Sequence, residues 1–104
     1  MISTLKSLFG IGPAVDYKTL VQNGAQIIDV RTRGEYASGH IKGSINIPLN
    51  ELSSNSKKIK KDAVIITCCA SGMRSASAKS SLQSMGHKEV YNGGGWSSLN
   101  SKLR

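Results

Sequence analysis

Two adjacent cysteines, Cys68 and Cys69, directly follow the apolar run Ala63-Val-Ile-Ile-Thr67 and precede Ala70-Ser-Gly-Met-Arg74-Ser75. The thiolate is the nucleophilic form of cysteine, so what matters is whether this segment can stabilise a charged sulfur. A loop that leaves a buried strand and enters a helix turns several backbone N–H groups into one concavity. Such a nest, reinforced by the positive end of the helix, holds anions. Gly72 can take backbone angles closed to other residues and so lets the loop curl. Ala70 and Ser71 are small and leave its mouth open. Arg74 adds a permanent charge and a planar fork of donors. A thiol in that field is expected to ionise more easily than a free one. No histidine adjoins Cys69, and none is required if the field keeps the sulfur charged. The alternative is a buried, inert cysteine before an ordinary helix start. For a lone cysteine that would be preferred, but strand, Cys, Gly, Arg and helix in this order favour chemistry.

The surrounding chain supplies elements to position this loop. Asp16 is placed to cap a helix running to about Asn23. Ala25–Val30 reads as a short apolar strand, and Thr32 with Glu35 forms a capping box for a second helix. Ser44–Ile47 is a brief strand stopped by Pro48, and Asn50–Lys57 is weakly helical. Ala63–Thr67 is the clearest buried strand. Ala76, Ala78, Leu82 and Met85 recur at roughly helical spacing, with Gly86 as terminator. Glu89–Tyr91 is a last strand, and Asn92–Gly95 turns into a helix starting near Trp96. Alternating strands and helices predict an α/β domain on a mainly parallel sheet, whose sites lie at the carboxyl ends of strands.

With 104 residues the chain has the size of a single domain, here 14–104, and can bury a core without staples. Residues 1–13 read as an amino-terminal segment packing on it, because Ile2, Leu5 and Phe9 fall at helical spacing. No apolar run is long enough to cross a membrane. A cytoplasmic location is the expectation, from the lack of a continuous apolar leader. The formal charge of +8 either describes scattered surface lysines or draws small anions and acidic partners inward. The run Lys57-Lys58-Ile59-Lys60-Lys61 has no aromatic interleaving, so nucleic acid is not an expected partner. His40 and His87 are isolated, and no metal or cofactor is expected. Two neighbouring cysteines cannot form an ordinary disulfide framework.

The segment Val64 to Ser75 resembles the active-site strand and loop of the rhodanese sulfurtransferase family. Ile27-Ile-Asp-Val-Arg31, Glu35-Tyr36, Gly39-His-Ile-Lys-Gly43, Asn46-Ile-Pro48 and Tyr91-Asn-Gly-Gly-Gly-Trp96 are similar to its other signatures, in order, over about residues 14 to 100. The resemblance implies a five-stranded parallel sheet flanked by helices on both faces. It implies an enzyme that moves sulfane sulfur from a small anionic donor such as thiosulfate, through a Cys69 persulfide, to cyanide or a thiol or protein acceptor. Arg74 would hold the donor, and the N–H groups of Ala70, Ser71, Gly72, Met73, Arg74 and Ser75 would cradle the persulfide. Asp29, Arg31, Glu35 and His40 would hold the loops around the site.

Loop size leaves an alternative open. Counted from Cys69 the loop to Arg74 encloses four residues, as in rhodaneses. Counted from Cys68 it encloses five, the spacing of cysteine phosphatases and arsenate reductases. Gly72-Met-Arg-Ser75 sets the shorter register, and Thr67 stands where phosphatases commonly carry histidine. Cys68 is then expected as the last strand residue, buried and pointing away, with a resolving role as the lesser reading. A non-catalytic sulfur carrier or regulatory module is a further alternative. Oligomeric state is not legible.

Overall fold

A computed structural model describes residues 14–104; the expected packing of segment 1–13 lies outside them. Four strands, β1 (Gln26–Asp29), β2 (Ile45–Asn46), β3 (Ile65–Cys69) and β4 (Val90–Gly95), form one parallel sheet in the order β2-β1-β3-β4. The expected fifth strand is absent among the described residues. Ala14–Asp16 make no strand pairing, and the chain between β2 and β3 forms two 3-10 turns, Leu49–Glu51 and Ser56–Lys58. Those turns also replace the expected helix at Asn50–Lys57. The polar run Ser53-Ser-Asn-Ser-Lys-Lys58 has neither strand alternation nor a helical apolar stripe. Only Leu52 and Ile59 anchor it in the core.

Helices cover both faces of the sheet, as expected. The helices are α1 (Tyr17–Gln22), α2 (Arg33–Ser38), α3 (Met73–Ser84) and α4 (Trp96–Lys102). On one face Ile28, Ile65 and Cys69 pack with Ala78 and Leu82 of α3 and with Leu52 and Ile59. On the other, Ile27, Ile66 and Cys68 pack with Leu99 of α4 and with Tyr17 and Leu20 of α1. This is the period-two alternation of a strand buried on both sides, and it sends the two neighbouring cysteines in opposite directions. The buried stripe of α3 is Ser75, Ala78 and Leu82, whereas Ala76 and Met85 are exposed. The expected four-residue stripe is therefore corrected at both ends.

Two helix starts follow the sequence. Asp16 Oδ1 accepts from Thr19 N–H at 3.0 Å. Thr32 Oγ accepts from Glu35 N–H at 3.2 Å while Glu35 Oε1 accepts from Thr32 N–H at 3.0 Å, a closed capping box. Two strand ends do not follow it. β3 runs on to Cys69, so Cys69 and not Cys68 is its last residue. β4 runs on to Gly95 where a turn from Asn92 was expected, with an irregular register that pairs Thr67 with Asn92 and Cys69 with Gly95. Glycine makes that path possible. A Cβ on Gly93 would stand 2.8 Å from Thr67 O and 2.9 Å from both Ile66 Cγ2 and Leu99 Cδ2.

Candidate active site

β3 carries Cys69 to the carboxyl end of the sheet, where Ala70–Gly72 turn the chain into α3. Gly72 sits at φ 105°, a left-handed conformation that costs a residue with a Cβ but not glycine. The turn folds back over the sulfur. Gly72 N–H donates to Cys69 Sγ at 3.0 Å and Ser75 N–H at 3.3 Å, and Ser75 Oγ lies 3.5 Å away. Burial pushes the Cys69 thiol up. The Ser75 hydroxyl and the N–H groups of Ser75, Gly72 and Ser71 outweigh that and bring it below its ordinary value. Of the six loop N–H groups expected around the sulfur, those of Ser71, Gly72 and Ser75 thus bear on it. The N–H groups of Ala70, Met73 and Arg74 do not donate to it. Ala70, Ser71 and Met73 lie on the surface, Met73 with 80% of its area exposed. Cys69 itself is 0% exposed.

Arg74 stands beside this loop but faces a partner. Its Nη1 and Nη2 donate to Glu35 Oε1 and Oε2 at 2.7 and 2.9 Å, a two-pronged pair in which each side chain is about a third exposed. The Arg74 guanidinium, followed by the Thr32 N–H, holds the Glu35 carboxyl down at about 2. Glu35 therefore closes the capping box of α2 and joins α2 to α3 in one step. The sequence offers Glu35 as a residue that steadies loops; that its partner is Arg74 needs the fold, because 39 positions separate them.

The other signature residues build the wall behind the loop. Arg31 clasps the buried Asp29 carboxylate through Nε at 3.0 Å and Nη2 at 2.8 Å, and donates to the carbonyls of Glu35 at 3.2 Å and Gly39 at 2.7 Å. Its guanidinium also lies 4.8 Å from the centre of the Trp96 ring. Asn46 Nδ2 donates to the carbonyls of Asp29 and Arg31, each at 3.0 Å. His40 is exposed, stacked on Tyr36 at 3.7 Å, with Nδ1 2.7 Å from the Tyr36 carbonyl. It contributes to loop structure and makes no hydrogen bond to the sulfur.

Cys68 lies across the sheet among Ile27, Ile41, Ile66 and Leu99. Burial pushes its thiol up to about 12, and the nearby Asp29 charge adds to the effect. A thiol this reluctant to ionise, on the opposite face from the loop, suits neither the five-residue phosphatase loop nor a resolving role. Among the described residues no group of three or more His, Cys, Asp or Glu could hold a metal ion. Two clefts, of about 400 and 500 Å³, lie by Lys61, Ala63, Gly86 and His87, at the amino ends of β3 and β4 and away from Cys69.

One residue near the sulfur escaped the sequence reading. Asn92 Oδ1 accepts from Ser75 Oγ at 2.6 Å and from Gly94 N–H at 2.9 Å. Asparagine before three glycines reads as turn chemistry, and only the extension of β4 brings its side chain to α3.

Residues 14–102 match the family profile of the rhodanese-like domain. The chain is 37% identical over 81 residues to the uncharacterized protein YqhL of Bacillus subtilis, covering 77% of this chain and 64% of that one. It is 41% identical over 71 residues to the thiosulfate sulfurtransferase PspE of Escherichia coli, covering 65% and 67%. Its fold is similar to that of the human single-domain sulfurtransferase TSTD1, with a TM-score of 0.71 and 28% identity over 88% of this chain and 97% of that one. The chain spans between 36% and 67% of the length of the first curated relatives it matches. Matched along its domain by profile, sequence and fold, the chain belongs to the rhodanese-like family.

Proposed function

We propose that the protein is a sulfurtransferase that moves sulfane sulfur from a small anionic donor such as thiosulfate to a thiol or protein acceptor, with Cys69 as the carrier. The observation that carries this reading is the clasp of Gly72 and Ser75 N–H groups on a sulfur whose ionisation they favour. The Cys69 thiolate attacks the outer sulfur of thiosulfate, the sulfur–sulfur bond of the donor breaks, and sulfite leaves with the bonding pair. An acceptor thiolate then takes the outer persulfide sulfur and Cys69 leaves as the thiolate. Each step displaces one sulfur nucleophile by another, so no external oxidant or cofactor is needed. Donors of preorganised hydrogen bonds aimed at the sulfur stabilise its charge in both steps.

The reading also sets a requirement. Because Cys69 is fully buried, the chain over it has to part before the donor's outer sulfur reaches it. Arg74, held by Glu35, meets the donor only by exchanging one anion for another. A partly exposed pair of this kind is weak enough for a dianionic donor to replace.

Thiosulfate turnover and peptide mass together test the assignment. Cys69→Ser is expected to abolish sulfur transfer and the mass increase of one sulfur atom after thiosulfate treatment, and Cys68→Ser to retain both. A Cys69→Ser variant that still transfers sulfur overturns the reading. A wild-type chain that takes up one sulfur but passes it only to a protein acceptor identifies a carrier in place of a thiosulfate enzyme.

A further inference from the structure

Ser75 Oγ has a single proton and three neighbours able to accept it. Asn92 Oδ1 lies at 2.6 Å, the Gly72 carbonyl at 3.0 Å and Cys69 Sγ at 3.5 Å. The Asn92 amide has only one workable orientation. Its Oδ1 accepts from Gly94 N–H at 2.9 Å, and its Nδ2 points at the Gly72 carbonyl at 3.4 Å. Flipped, it would set Nδ2 against the Gly94 N–H and Oδ1 against the Gly72 carbonyl, two repulsive contacts. With Oδ1 facing Ser75, the shortest contact takes the proton. The hydroxyl then offers sulfur a lone pair, which suits a thiol S–H and opposes a thiolate. Asn92 is itself anchored, since its carbonyl accepts from Tyr17 OH at 3.1 Å and Gly93 wedges against Thr67.

We propose that Asn92 is a positioning residue for Cys69: its Oδ1 holds the Ser75 hydroxyl proton away from the resting thiol, and yields it to the sulfur when the thiol ionises. This rests on Cys69 being the reactive sulfur, and it assigns Asn92 a part in how readily that sulfur becomes a nucleophile. Ser75 is the moving part: its hydroxyl turns from one acceptor to another while its N–H stays on the sulfur. The other charges around Cys69 are those of Arg74 on α3 with its partner Glu35 on α2, Asp29 at the end of β1 and Arg31 just beyond it; Cys68 beside it is neutral. All are untouched by substitutions at Asn92 or Ser75.

The pH dependence of iodoacetamide alkylation of Cys69, followed by mass in a Cys68→Ala background, reads the effect without sulfur transfer. Asn92→Ala removes the nearer acceptor and leaves only the Gly72 carbonyl to compete with the sulfur for the hydroxyl proton, so it is expected to move the alkylation midpoint down by about half to one pH unit. Asn92→Asp keeps the acceptor, strengthens its hold on the proton and adds a negative charge, so its midpoint is expected to move up. The added charge of Asn92→Asp raises the midpoint under either role, so the downward shift of Asn92→Ala is the readout that a merely structural role would not produce. Adding Ser75→Ala to Asn92→Ala is expected to erase the downward shift, leaving the midpoint of Ser75→Ala alone. The proposal is overturned if Asn92→Ala raises the midpoint or leaves it unchanged, or if its shift survives without the Ser75 hydroxyl. Should Asn92→Ala not fold, an Asn92→Asp midpoint at or below that of the parent overturns it. These outcomes are separate from the fate of the sulfurtransferase reading, which falls if Cys69→Ser retains turnover whatever the alkylation midpoints are.

Discussion

Neighbouring residues of the same type have been given opposite chemistries here by which way a strand turns them. Cys69 receives N–H groups and ionises easily, while Cys68 sits in an apolar cluster and resists ionisation. The same scale decides what Arg74 can do. With Glu35 on both of its Nη atoms, Arg74 can meet the proposed anionic donor only by giving up that pair. Glu35→Gln keeps the capping box, which accepts either residue, but removes the competing charge. The expected result is a lower KM for thiosulfate, by about two- to fivefold on the energy scale of an exposed ion pair, with kcat little changed. Steady-state kinetics on the variant check this; a raised KM would mean that the pair positions Arg74 for the donor and does not compete with it.

At the scale of elements, the site depends on β4 lying close enough to β3 to bring Asn92 to Ser75. Gly93 makes that approach possible, because any side chain there meets Thr67, Ile66 and Leu99 below 3 Å. Gly93→Ala is therefore expected to destabilise the fold by about 1–3 kcal/mol, as overpacked cores do. Urea unfolding measures it, and a wild-type midpoint would mean that β4 can move out without cost. The glycine run was legible in the sequence as a place needing small residues, but not as strand. A turn and a close-packed strand both select glycine, and the partner that distinguishes them lies about 26 residues away in β3.

For the molecule as a whole, two titration and charge effects follow. Cys68 ionises near 9.0 in the unfolded chain but only near 12 when folded. Its raised native value means that the unfolded state loses the proton first. The stability it contributes is complete below pH 9 and is lost as pH rises towards 12, by up to roughly 4 kcal/mol. Chemical denaturation from pH 8 to 11 should show a steeper loss for the parent than for Cys68→Ala; parallel curves would place Cys68 in contact with water. If the formal charge of +8 has a part in donor capture, its reach is about 10 Å at 0.1 M salt. Thiosulfate kcat/KM is accordingly expected to fall as inert salt is raised from 20 to about 300 mM. A flat salt profile would leave the lysines as surface charge without a part in donor capture.

By itself the sequence determined the order of strands and helices apart from the expected helix at Asn50–Lys57, together with the two helix caps and the loop from Cys69 to Ser75, because periodicity, capping and turn chemistry act between near neighbours. The family signatures were legible for the same reason: each is a short run with its own local geometry. Only the tertiary structure decided which groups surround the sulfur. The Glu35–Arg74 pair, the Asn92–Ser75 contact and the opposite faces of Cys68 and Cys69 depend on sheet order and register, and these join residues that no local rule brings together.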